Sequence, residues 1–385
     1  MSDCGTGATA DGAGEAAKLL PHLTATLDTL AAIARGIHLT KLRMLVELAG
    51  DQDAALAAAA RRFRCASATA DLGGLRDQLG ESAALAVSAL TELREAALKP
   101  ALPGAAFRGL GLSTRAVEAL YPLTAVLPEV RRWFLNPAQR GDADLLERLR
   151  PPAQPGTGVQ HIRNERGTRG GYSVYVPEYL DPTTPAPLVM ALHGGSGHGR
   201  SFLWTWIREA RGRGLVVVAP TATGDTWSLS NPDADMRHLD AILEQIRSQW
   251  SIDPGRMLLT GISDGGTFTL LSGLTESSPF THLAPIAAGF HPILMYISDP
   301  DRTSGLPIYL IHGVQDWMFP VDVAREAYEM LSSAGARVSY HEIPDLSHTY
   351  PAEQNELIID WLNARGAPGP DRKSPYCDVG RTETE

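Results

Sequence analysis

The sequence predicts an α/β protein: a mostly parallel sheet with helices on both faces over residues 151–366, preceded by an all-helical region over residues 1–150. Three observations predict it. Residues 15–150 carry apolar side chains at spacings of three and four, the period of a helix. From residue 158 onward, short apolar runs alternate with amphipathic stretches, the pattern of strands joined by crossover helices. One of those runs, Leu188-Val189-Met190-Ala191-Leu192, is apolar at every position, as a strand is when both of its faces are buried.

In the helical region, Leu23, Leu27, Leu30, Ala34 and Ile37 form one apolar stripe. Further helices are expected over 41–63, over 82–98, and from Ser113 or Thr114 as N-cap toward Phe134, with interruptions at Pro122 and Pro128. No fixed period repeats, so a solenoid is not expected. Pro151, Pro152, Pro155, Gly156 and Gly158 cluster where the helical pattern stops, as at a domain boundary.

Past that boundary, 159–164 and 172–176 read as paired strands turning at Gly170-Gly171. The buried run 188–192 ends at His193-Gly194-Gly195. Residues 214–220 and 256–260 are two more strands, separated by an amphipathic helix over 233–250. Strands over 282–288, 307–311 and 337–343 then alternate with helices over 322–333 and 352–364. The proline-rich polar residues after Gly366 read as a disordered tail over 367–385.

Composition excludes several classes. With 44% hydrophobic and 20% charged residues the chain is a globular protein with neither a disordered composition nor a membrane span. Residues 1–150 hold 17 basic and 17 acidic side chains, leaving 17 and 27 of the chain's 34 and 44 for the rest. All the excess acid thus falls after residue 150, and no basic stripe is present to hold a nucleic-acid backbone. Cys4, Cys65 and Cys377 are odd in number and far apart, so neither a disulfide framework nor a metal site is expected. Residues 1–17 show no basic start followed by an apolar segment, and the expected location is the cytoplasm.

The chemistry centres on Gly261-Ile262-Ser263-Asp264-Gly265, where an apolar strand must turn sharply into a helix. Such a corner exposes the serine hydroxyl, and the helix after it points free amides and its positive dipole end at any oxygen that becomes charged nearby. Five residues of this kind also occur in ordinary turns, so the motif gains weight only from suitable partners elsewhere in the chain. A serine needs a base to take its proton and a third group to hold that base. Asp316, just past the strand 307–311, and His348, past the strand 337–343, are loop residues at the strands' carboxyl edge, in the order serine, acid, base. The competing histidines have other readings. His341 lies within a strand, His291 comes too early in the order, and His193 and His312 precede glycines, where backbone bonding shapes a turn. Among the acids, Asp322 reads as an N-cap and Asp345 is too close to His348 in the chain. The candidate oxyanion donors are the amides of Asp264 and Gly195, the latter in the loop His193-Gly194-Gly195-Ser196-Gly197. Trp227, Trp317 and Phe319 fall in loops beyond strand ends and are candidates for lining an acyl or alcohol pocket.

These motifs, Leu192-His193-Gly194-Gly195, Gly261 to Gly266, Ile311-His312-Gly313 through Asp316 to Pro320, and Ser347-His348, carry a resemblance. From Gly158 to Gly366 the chain resembles the α/β-hydrolase superfamily, and within it bacterial phospholipase/carboxylesterases and poly(3-hydroxyalkanoate) depolymerase-like esterases. The resemblance implies the α/β-hydrolase fold and ester hydrolysis through an acyl-enzyme. It further implies no metal or organic cofactor, with an oxyanion amide at Gly195. A small soluble ester is the expected substrate, with serine peptidase or thioesterase activity on the same residues, or a non-catalytic binding role, as alternatives. Residues 1–150 have no counterpart in the family's basic domain, and a lid, a packing extension and a homo-oligomer surface are the expectations for them.

Overall fold

The computed structural model describes residues 12–38, 40–66, 73–98, 103–150 and 154–364. The expected tail over 367–385, the linker residues Pro151 and Pro152, and Met1 to Asp11 lie outside these. The chain divides into two compact units: residues 1–160 with 174–180 and 200–215, and residues 161–173 with 181–199 and 216–385. The division therefore does not fall at one point near residue 150.

The first unit is helical: α1 (Gly12–Gly36), α2 (Leu42–Glu47), α3 (Gln52–Cys65), α4 (Gly73–Leu98), α5 (Pro103–Leu120), α6 (Pro128–Trp133) and α7 (Ala143–Arg148), with short α8 (Gly199–Phe202) and α9 (Ile207–Arg213) later in the chain. Leu19, Leu23, Leu27, Leu30 and Ile33 of α1 are buried, so the stripe ends at Ile33, while Ala34 and Ile37 are only partly covered. A spacing of three after Leu30 fits the 3.6-residue turn as well as a spacing of four, and the pattern alone does not choose. Ser113 and Thr114 are mid-helix in α5, where Thr114 Oγ1 donates to Leu110 O at 3.2 Å in place of capping. The proline interruptions stand: residues 121–125 form a 3₁₀ turn and Pro128 opens α6. Residues 174–180 and 200–215 belong here because their side chains complete this core. Glu178, partly covered, pairs with the buried Arg211 at 3.1 Å and accepts from the hydroxyls of Tyr121 at 2.8 Å and Tyr175 at 2.7 Å. Removing one partner of such a pair generally costs about 3–5 kcal/mol, because the other charge is left buried alone. Cys65 is disulfide-bonded, a single bond that the reading of no disulfide framework did not anticipate. An odd count of spaced cysteines still allows one pair.

One eight-stranded sheet runs in the order β1-β2-β4-β3-β5-β6-β7-β8. Its strands are β1 (Gly158–Ile162), β2 (Tyr172–Val176), β3 (Ala186–Leu192), β4 (Val216–Pro220), β5 (Ile252–Ile262), β6 (His282–Ile286), β7 (Pro307–Gly313) and β8 (Arg337–Ile343). The pairs β3–β4, β3–β5, β5–β6, β6–β7 and β7–β8 are all parallel. Parallel neighbours need crossovers, supplied in the second unit by α10 (Asp233–Gln249), α11 (Asp264–Gly273), α12 (Ile293–Ile297), α13 (Pro300–Thr303) and α14 (Val321–Ser333), with α15 (Asn355–Asn363) following the last strand. This is the α/β-hydrolase arrangement that the resemblance implies. Two local expectations need correction. The β1–β2 connection turns at Arg166-Gly167, with Gly170-Gly171 leading into β2. Asp322 is the second residue of α14, paired with Arg325 at 2.9 Å, and the N-cap is Pro320. Among the described residues no helix is long and apolar enough to cross a membrane.

Strand order changes direction at β3. The chain steps from β3 outward to β4, then returns across β3 to β5, so the loops leaving β3 and β5 diverge and open a crevice at their carboxyl ends. Gly195 and Ser263 follow the carboxyl ends of those two strands.

Candidate active site

The register Leu192↔Gly261 brings the ends of β3 and β5 level, so the loop after Leu192 begins beside the corner at Ser263. Ser263 has φ +56° and ψ −122°, a region that costs a non-glycine residue on the order of 1–3 kcal/mol. The surrounding structure enforces it. Ser263 N donates to Ile286 O at 3.0 Å and Ser263 O accepts from Thr267 N at 2.8 Å. The flanking glycines permit the turn: a Cβ at Gly261 would lie 2.5 Å from Gly265 O, and one at Gly265 would lie 2.5 Å from His193 O. No side chain caps α11 at Ser263, so its hydroxyl is left for another partner.

That partner is His348. Its Nε2 lies 2.9 Å from Ser263 Oγ and its Nδ1 lies 2.8 Å from Asp316 Oδ2. Asp316 Oδ1 accepts from the amides of Met318 and Phe319, each at 2.8 Å. Burial by itself would raise the Asp316 pKa, but the hydrogen bonds from His348 and the Phe319 and Met318 amides outweigh it and hold the carboxyl below its usual range. An ionised carboxylate only accepts, so the proton between the two lies on Nδ1 of His348, and Nε2 faces the Ser263 hydroxyl. His312 backs this group from inside the fold. Its Nε2–H donates to Phe319 O at 2.9 Å and lies 3.5 Å from Asp316 Oδ2. Burial lowers its pKa and keeps it uncharged.

The amide of Asp264, first residue of α11, has no intrahelical acceptor. The amide of Gly195 has none among the loop backbone bonds of the described residues. Gly194 and Ser263 are near neighbours, with a Cβ at Gly194 falling 3.5 Å from Ser263 Cβ. The loop itself is braced by His193, where burial pushes the pKa down to about 4 and keeps the ring neutral. Its Nδ1–H donates to Gly194 O at 2.7 Å and its Nε2 accepts from Ala222 N at 3.1 Å. His193 and His312 thus do the backbone bonding expected of them.

The three aromatics separate. Phe319 and Trp317 stand edge-on to His348, with ring centroids 5.4 and 6.1 Å away, and Trp317 is 47% exposed. Trp227 is not a pocket residue: it is 1% exposed, stacks on Phe268 at 5.3 Å, and donates from Nε1 to His193 O at 2.8 Å. Its position past a strand end suggested a pocket, but its indole N–H found a carbonyl inside the fold. A cleft of about 460 Å³ between α12, α13 and α14 is lined by Met295, Ser298, Thr303, Glu329 and Met330 among others, and by none of the triad, oxyanion or aromatic candidates. Two contributors were not legible in the sequence. Thr226 Oγ1 donates to Asp264 Oδ2 at 2.7 Å, and Arg169 donates to Gly197 O at 2.7 Å. Both act across long sequence separations and belong to no motif.

Comparison with known proteins gives a consistent neighbourhood. The profile of the phospholipase/carboxylesterase family matches residues 231–365. Feruloyl esterase C of Emericella nidulans is 28% identical over 159 residues, which cover 39% of this chain and 56% of that protein. Poly(3-hydroxybutyrate) depolymerase of Ralstonia pickettii is 30% identical over 136 residues, 29% of this chain and 27% of the relative. Acyl-protein thioesterase 1 of Neurospora crassa is 23% identical over 210 residues, 46% of this chain and 86% of the relative. The chain therefore spans about half the length of the feruloyl esterase that it matches.

Proposed function

We propose that this α/β-hydrolase, esterase-like in its fold and its relatives, cleaves small carboxylic esters through an acyl-enzyme on Ser263. The observation that carries the reading is the unbroken chain from Ser263 Oγ through His348 to Asp316, with contacts of 2.9 and 2.8 Å, at a serine held in a strained corner. In this reading His348 Nε2 takes the hydroxyl proton as Ser263 Oγ attacks the ester carbonyl carbon. The carbonyl oxygen becomes an oxyanion held by the amides of Gly195 and Asp264. The tetrahedral intermediate collapses, the C–O bond to the alcohol breaks, and His348 returns the proton to the leaving oxygen. Water then attacks the acyl carbon with His348 as base, releasing the acid and restoring Ser263. Asp316 stays ionised throughout, fixing the imidazole's tautomer and balancing its transient charge. Trp317 and Phe319, at the edge of His348, flank the leaving group or acyl chain.

The thioesterase relative, matched over most of its length, favours a second reading in which the bond cleaved is a thioester. Both are tested by comparing p-nitrophenyl butyrate, methyl ferulate, butyryl thiocholine and an aminoacyl p-nitroanilide at equal concentration. The expected order of kcat/KM places the two oxygen esters first and the anilide last. A thioester preference of tenfold or more, about 1.4 kcal/mol of transition-state discrimination, would select the second reading, and a preference for the anilide would remove both.

A further inference from the structure

We propose that Arg169, on the connection between β1 and β2, is a positioning residue that clamps the two loops carrying and bracing the oxyanion donors. The proposal rests on the serine-hydrolase reading and assigns a residue that the reading does not use.

Three nitrogens of one guanidinium reach three carbonyls on two loops. Nη1 donates to Gly197 O at 2.7 Å in the loop after β3, while Nε donates to Gly224 O at 2.6 Å and Nη2 to Asp225 O at 2.9 Å in the loop after β4. A planar fork of donors fits this task, and a lysine, with one compact ammonium on a flexible stem, does not. The residues on either side of Arg169 are anchored to the same loops. His198 Nε2–H donates to Thr168 O at 2.9 Å and Gly170 N donates to Ala222 O at 3.2 Å. Arg169 is partly covered, and its bond to Gly197 O is partly buried, while those to Gly224 O and Asp225 O face solvent.

The clamped segments are the ones that matter for an oxyanion. Gly195 lies between His193, whose carbonyl is held by Trp227, and Gly197, whose carbonyl is held by Arg169. Directly after the clamped Gly224 and Asp225 come Thr226, which bonds the Asp264 carboxylate at 2.7 Å, and Trp227. Asp264 Oδ2 in turn packs beside Gly195, 2.8 Å from where a Cβ would stand. Loops of this composition, with Gly194, Gly195, Gly197 and Gly224, have little stiffness of their own. Oxyanion stabilisation depends on donors fixed before the charge develops, and Arg169 supplies that fixity from a third loop.

The test uses the full chain with Arg169→Ala and Arg169→Lys, measuring kcat and KM on p-nitrophenyl butyrate and inhibition by an alkyl trifluoromethyl ketone, which forms a tetrahedral adduct on a serine. The expected result for Arg169→Ala is a kcat lower by about tenfold to a hundredfold with KM within about threefold. The ketone's inhibition constant rises by the same factor as kcat/KM falls, since both report oxyanion binding. The acid limb of the pH profile stays in place, because His348 and Asp316 are untouched. Arg169→Lys falls close to the alanine variant. A folded Arg169→Ala protein with wild-type kcat, or a loss of kcat without the matching loss of ketone affinity, overturns the proposal. Where the alanine variant does not fold, Arg169→Lys decides by the same two criteria. A wild-type chain that reacts with neither ester nor fluorophosphonate removes the serine-hydrolase reading itself, a result distinguishable from a variant that keeps full rate.

Discussion

Replacing Ser263 with alanine is expected to lower kcat on p-nitrophenyl butyrate by about 10⁴- to 10⁶-fold, the range seen when a nucleophile acting as one unit with its base is removed. The change removes one oxygen from a side chain whose Oγ serves no cap on α11 and bonds only His348 among the described residues. The backbone constraints that hold the corner, the Ser263 amide to Ile286 O and Thr267 N to Ser263 O, do not involve the side chain. Alanine tolerates the positive φ no worse than serine, so the variant folds, and unchanged circular dichroism and thermal midpoint check that it does. Any activity left is what the oxyanion amides supply to a water molecule without a nucleophile.

Asp316→Asn is the second large effect, with an expected fall in kcat of about 10⁴-fold and little change in KM. The carboxylate here does two things at once. Its Oδ1 takes the Met318 and Phe319 amides, and its Oδ2 takes the His348 Nδ1 proton. Asparagine keeps the first bond set through its carbonyl oxygen, so the loop holds its shape. Its NH2 then faces Nδ1, which must become the acceptor, and the ring proton moves to Nε2. An imidazole protonated at Nε2 donates to Ser263 Oγ and has no lone pair there to take its proton. The loss therefore appears in kcat, and it is partly relieved at high pH if Ser263 ionises without its base. Asp316→Asn with kcat within tenfold of wild type would mean that the acid lies elsewhere, and Asp345 would be the next to test.

Much of the sheet was legible because its strands announce themselves by composition. The run 188–192 and the strand 337–343 fall where the pattern puts them, the first because burial on both faces leaves no room for polar side chains. The order of Ser263, Asp316 and His348 was readable because each ends or comes after a strand. What failed were features decided by contacts across the chain. Trp227 satisfies the same strand-end criterion as Trp317, and its burial, its stack on Phe268 and its bond to His193 O separate them. Ser113 resembles an N-cap in isolation but lies within a helix that starts at Pro103. Residues 174–180 and 200–215 read as part of the sheet domain, yet Glu178 and Arg211 tie them to the helical core. Arg169 and Thr226 carry no local signal, for a loop residue's partners are set by topology.

Ester cleavage by the proposed route requires that Ser263 become covalently acylated. The most direct measurement is the mass of peptides from wild-type enzyme mixed with p-nitrophenyl butyrate and quenched in acid within the first turnover. One butyryl group is expected on the peptide containing Ser263 and none on peptides containing Ser196 or Ser347. Turnover of the ester with no acyl group on Ser263, or with the group on another residue, would contradict that route.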